Sequence, residues 1–194
     1  MSYDIQWANA SNAPFRLFKH WVHEGGISTP LIVHWPEGVE EHGVLRAQPA
    51  QLPDMMATFL EVAGADHPTE RDGHPVQPLV GFSMTPIFRD EPPGREVLYW
   101  EHEGNCAVRK EQWKLVCKYP GGWELYDIKA DRTELNDLAA EHPEVVSRLG
   151  KLLADFKADL KKNGRPAGGP PPKPRKPRKP RQKKPKKTDT KKKA

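Results

Sequence analysis

Apolar positions are spread unevenly along the 194 residues. Residues 1–30 are polar and turn-rich, with little periodicity, and read as an ordered loop. The first apolar run is "PLIVHW" at 30–35, whose β-branched centre and closing Pro36 predict a buried strand. A loop reaches Gln51, and "LPDMMATFLEVAG" follows as a helix with Met55, Met56, Phe59, Leu60, Val62 and Ala63 on one face. Pro53 and Asp54 suit its first turn, Gly64 suits its stop, and the methionines suit core filling. Six prolines between 65 and 95 forbid long regular elements, leaving room for short helical turns at 83–88.

The pattern then changes period. "EVLYWEHE", "NCAVRK", "QWKLVCKY" and "WELYDI" are short, aromatic or β-branched, and separated by one to three turn residues, which predicts a four-stranded antiparallel meander. In the third run Trp113, Leu115 and Cys117 alternate with Lys114, Val116 and Lys118, so one face should meet a core and the other mostly water. "DRTELNDLA" reads as a short helix. A longer helix should run from 143 to about 161, with Val145, Leu149, Leu152, Phe156 and Leu160 as its apolar stripe. The order is an α/β beginning followed by an α+β module. Three regions are expected: 1–95, 96–162 and 163–194.

Charge separates the last region from the rest. Residues 1–160 hold 15 Lys plus Arg against 25 Asp plus Glu, a balance of −10; residues 161–194 hold 16 against the single Asp189, a balance of +15. The segment 163–194 has no aromatic residue and no aliphatic one beyond alanine, so disorder with local polyproline II is expected. Its "KPRKPRKP" periodicity suits polyanion binding by counterion release, and the lack of interleaved aromatics argues against base-specific recognition. Cys106 and Cys117 fall on adjacent strands, where a cross-strand disulfide and two free thiols are both compatible. No apolar run approaches the length of a membrane span, and the N-terminal residues have neither the basic nor the apolar region of a signal peptide; localisation stays open.

"FRLFKHWVHEGGISTP" at 15–30 draws attention as chemistry. His20 and His23 are three apart, but His23-Glu24 is followed by Gly25, Gly26 and Ile27, which breaks the H-E-x-x-H zinc pattern. Gly81-Phe82-Ser83 lacks the second glycine of a G-x-S-x-G elbow. Lys19, set among Phe18, His20 and Trp21, is either a surface lysine or a point charge offered to an oxyanion. Local composition does not choose between them.

A longer comparison does. "WANASNAPFRLFKHWVHEGGISTPLIVHWP", "QLPDMMATFLEVAG", "LYWEHEGNCAVRKEQWKLV" and "WELYDIKADRTELNDLAAEHPE" follow in the order in which similar stretches occur in the C-terminal third of type I sulfatases of the arylsulfatase kind. The chain resembles that family from Trp7 to Leu160. The resemblance implies an alkaline-phosphatase-like α/β fold, of which this chain would hold the last part: one core strand and helix, then a small antiparallel sheet packed with a C-terminal helix. It implies sulfate-ester hydrolysis through a formylglycine nucleophile and a divalent cation, usually calcium. It also implies that Lys19, five residues before the glutamate of E-G-G, contacts the sulfate oxygens; His23 and His102 are candidates for the border of the site, with no family position matched to either.

Departures from the family are equally specific. Neither Cys106 nor Cys117 stands in the C-x-P-x-R motif that yields formylglycine, and Ser11, Ser28, Ser83 and Ser147 also lack its Pro and Arg. The paired aspartates and the later Asp-Asn that hold the cation belong to parts of the family that precede this resemblance. The first expectation is therefore a C-terminal portion that supplies Lys19 to a site completed by an N-terminal part. The alternative is a non-catalytic sulfatase remnant whose binding capacity is its basic tail.

Overall fold

The computed structural model describes residues 4–92 and 95–162; the basic segment 163–194, expected to be disordered and to bind polyanions, lies outside the described residues. Its centre is the expected meander: β3 (Val97–His102), β4 (Asn105–Lys110), β5 (Trp113–Cys117) and β6 (Trp123–Asp127), antiparallel and in sequence order. Two-residue turns set the register. Glu103 and Gly104 both have positive φ, and Glu111 does so in the second turn, which matches the twist of tightly joined strands. Preceding the sheet are α1 (Ile5–Asn12), α2 (Glu24–Ile27), α3 (Leu52–Ala63), the two-residue ladder of β1 (Glu70–Arg71) with β2 (His74–Pro75), and α4 (Thr85–Phe88), which falls where helical turns were expected.

The helix α5 (Pro143–Lys162) lies across one face of the sheet. Val145, Leu149 and Leu153 are its buried residues, packed on Cys106, Val108, Leu115 and Leu125, while Tyr99 and Phe156 stack with centroids 4.1 Å apart. Burying side chains such as Leu115, Leu125 and Leu149 contributes about 1.5–3 kcal/mol each. The expected stripe is right in direction, with Leu153 in the core beside the half-buried Leu152.

The opposite face of the sheet does not meet water, contrary to the alternation in β5. Ala107, Val116 and Tyr126 form a second core with Val22 and Ile128, and Lys114 is as deeply buried as Leu115. The cover is the loop between α1 and α2. Glu24, which opens α2 at the end of that loop, and Glu134, from the turns after β6, both reach Lys114, so a lysine in mid-strand is satisfied without solvent.

Four other expectations change. Residues 5–12 are helical, because Asp4 caps the Ile5 N–H and Asn9, Ser11 and Asn12 donate to carbonyls four residues back; with no buried residue, α1 has no apolar period to detect. Residues 30–35 form no strand, and Ile32 is 91% exposed, since no strand among the described residues pairs with them. The stretch 131–139 is a chain of turns rather than a helix: Asp131 accepts the backbone N–H groups of Leu135 and Asn136, competing with helical bonding.

The fourth change concerns α3, which has the expected bounds, a Gln51–Asp54 capping box and Gly64 in the left-handed region, but faces the other way. Its buried residues are Asp54, Ala57 and Thr58. Asp54 accepts from Phe82 N–H and pairs with Arg95, and Thr58 Oγ1 accepts from Met84 N–H at 2.9 Å. The apolar residues Leu52, Met56, Phe59 and Val62 are exposed.

Candidate functional site

Lys19 sits in the loop joining α1 to α2, and the fold of that loop is fixed from below. The short helix α2 begins at Glu24, whose carboxylate is almost completely buried. Lys114 Nζ reaches Glu24 Oε1 and Glu134 Oε1, each at 2.8 Å. Glu134 Oε2 in turn accepts the Glu24 backbone N–H at 2.8 Å, so Glu134 binds both partners. Burial pushes the Glu24 carboxyl up, but the Lys114 ammonium and its hydrogen bond, with Arg132 and Arg109 nearby, more than reverse this and hold it below its usual range.

Glu134 is presented to this triad by the turns after β6. Its own φ is positive, and the Asp131 side chain gathers the N–H groups on its far side. Arg16 extends the clamp, donating to the Tyr126 hydroxyl and to the Glu134 carbonyl. The glycines of E-G-G are needed because a Cβ on Gly25 would run into the carbonyls of Arg16 and Leu17, and one on Gly26 into that of Trp21.

Above this clamp the Lys19 side chain is exposed and has no ion pair among the described residues. An unneutralised ammonium on a fixed backbone can meet an anion without first breaking an internal partner. The other two expected site residues separate. His23 is fully buried, with Nε2 2.8 Å from Glu124 Oε2, while its Nδ1 has no hydrogen-bond partner. The His23 hydrogen bond holds the Glu124 carboxyl down at about 2, against the opposing effect of burial and with help from the Tyr126 hydroxyl. His102 is exposed at the end of β3, its ring 5.5 Å from that of His20.

His20, His102 and Glu103 therefore come together, with one ligand-capable atom of each within 4.8 Å of the others. Two imidazoles and one carboxylate do not fit calcium, which takes six to eight oxygens. Cys106 and Cys117 face each other across β4 and β5 as free thiols.

The sequence reading missed Glu24, Lys114 and Glu134 as a unit. One signal was available: a lysine flanked by Trp113, Leu115 and Val116 in a strand needs either water or a buried acid, and an acid stands directly before the glycine pair.

Residues 15–159 match the family model described as N-sulphoglucosamine sulphohydrolase, C-terminal. An uncharacterized sulfatase of Schizosaccharomyces pombe is 31% identical over 169 residues, covering 81% of this chain and 30% of its own length. A sulfatase of Formosa agariphila is 29% identical over 177 residues, covering 81% of this chain and 31% of its own. The crystal structure of Ps i-CgsB in complex with k-i-k-neocarrahexaose superposes with a TM-score of 0.62 at 26% identity, over 75% of this chain and 32% of that one. The chain thus spans about a third of the length of the proteins it matches.

Proposed function

The chain belongs to the N-sulphoglucosamine sulphohydrolase C-terminal family of sulfatases, and from that premise we propose that it is the C-terminal portion of a sulfuric ester hydrolase. Its architecture is part of the alkaline-phosphatase-like fold of its structural neighbours. In this reading Lys19 binds the sulfate group, and the remaining catalytic groups come from an N-terminal part. A formylglycine nucleophile and a cation, calcium in the family, would belong to that part, and supply the attack on sulfur.

The observation that carries the reading is the contrast between Lys19 and the residues that follow it. The backbone of 20–26 is locked onto the sheet by the Glu24–Lys114–Glu134 triad, yet the lysine at its head is unpaired and open. As a sulfate ester breaks, negative charge grows on the sulfate oxygens and the leaving oxygen, and a positioned ammonium stabilises both. The substrate class follows at the same level: a sulfated carbohydrate or aryl ester, in keeping with the oligosaccharide bound by Ps i-CgsB.

Fusing residues 7–160 to the N-terminal part of a catalytically active sulfatase and following aryl sulfate hydrolysis tests the proposal. The fusion is expected to turn over, and Lys19→Ala to lower kcat by about 100- to 1,000-fold with the fold intact by circular dichroism. Turnover unaffected by Lys19→Ala would remove the assignment. A chain inert in every such fusion would leave the second reading, a non-catalytic protein acting through its basic segment 163–194, which rests on the charge of that segment.

A further inference from the structure

We propose that His20, His102 and Glu103 form a binding site for one divalent cation of the zinc class, built between the Lys19 loop and the β3–β4 turn. Two imidazoles with one carboxylate are the donor set that borderline cations such as zinc prefer and that calcium or magnesium do not. His20 Nδ1 and Glu103 Oε2 already stand 2.8 Å apart. Zinc bonds of about 2.0–2.1 Å give tetrahedral edges of about 3.3 Å, so this edge opens by about half an ångström. The third donor, His102, is exposed and can rotate to close the remaining distance.

The supporting residues are organised around this cluster. Asn105 is fully buried, and its Nδ2 donates to the carbonyl of His102 at 3.0 Å and to that of His20 at 3.4 Å. Its Oδ1 accepts the Tyr119 N–H at 3.1 Å. One side chain therefore ties the backbones of two proposed ligands to each other and to the strand edge beside them. Trp21 packs edge-on against the His20 ring at 4.6 Å and limits its rotation.

Backbone conformation points the same way. His20 has φ 103° and Glu103 φ 51°, both in the left-handed region that disfavours residues with a Cβ. The Glu103 value is that of the tight β3–β4 turn, whereas the His20 value is held by its surroundings outside any such turn. Three protein donors leave one tetrahedral position for water or an oxyanion, and one of the donors, His20, directly follows Lys19.

Titration calorimetry of the 194-residue chain with zinc chloride, followed by cobalt(II) visible absorption, tests the site. One saturable equivalent is expected, with cobalt bands of low coordination number and no displacement by excess calcium. His102→Ala, an exposed position where folding is preserved, should weaken zinc binding by at least the roughly tenfold that losing even an outer partner costs, and Glu103→Gln should do likewise. His142→Ala, on a ring packed against Trp113, should leave it unchanged. No saturable binding, or binding of equal affinity in His102→Ala, would overturn the proposal.

Discussion

Residues 14–28 with the sheet and α5, and residues 30–82, were built from similar amounts of apolar sequence but treat it in opposite ways. In the first region Leu115, Val116, Leu125 and Leu149 are fully buried, and even Lys114 is enclosed. In the second, Ile32 is 91%, Leu45 98% and Leu52 81% exposed. Apolar composition is therefore a poor guide to burial unless a partner surface is named. The first region contains its own partners: the helix for one face of the sheet, the loop for the other. The second buries the polar side chains Asp54 and Thr58, the former paired with Arg95 from beyond it, and turns Leu52, Met56, Phe59 and Val62 outward.

Breaking the first region at its charged centre should have the largest effect. Lys114→Met leaves Glu24 and Glu134 buried without a cation and is expected to cost about 3–5 kcal/mol in denaturant unfolding. A loss under 1 kcal/mol would mean that water reaches the triad, and that this face of the sheet is as open as α3.

A paired substitution sharpens the contrast itself. Leu149→Ala, in the core under α5, should cost about 2–5 kcal/mol. Phe59→Ala, on the outward face of α3, should stay within about 0.5 kcal/mol. Comparable losses at the two sites would show that something in solution covers α3.

A pH dependence in the first region centres on Glu124. Glu124 is lowered from 4.5 to about 2 in the folded chain, so it binds its proton more weakly there than when unfolded. Its contribution to stability is complete above about pH 4.5 and is lost as pH falls towards 2. Glu124→Gln should flatten the acid-side decline of the unfolding free energy over that window, and an unchanged slope would place the dependence elsewhere.

Legibility in the sequence followed the same division. The meander and α5 were readable because their residues alternate or recur against partners close by in sequence. The direction of α3 was not, since its real partners, Phe82, Met84 and Arg95, lie beyond a stretch that periodicity reads only as loop. The helix α1 has no buried face and is held by side chains returning to their own backbone, which leaves no apolar period. Of the site, Lys19 was reached only through a resemblance spread over four blocks, not through its neighbours. The approach of His20 to His102 and Glu103 could not be read at all. It depends on the loop being drawn onto the sheet by a lysine that the alternation had assigned to solvent.

The separation of the clamp's members along the chain has a kinetic consequence. The hairpins close over a few residues, but Lys114 meets Glu24 across 90 positions, and Glu24 meets Glu134 across 110. Local contacts form before the entropy of such long closures is recovered, so the sheet is ready while the Lys19 segment is still free. Docking of that segment is expected to follow formation of the sheet, and Glu24→Gln is expected to change the unfolding rate more than the folding rate in stopped-flow measurements.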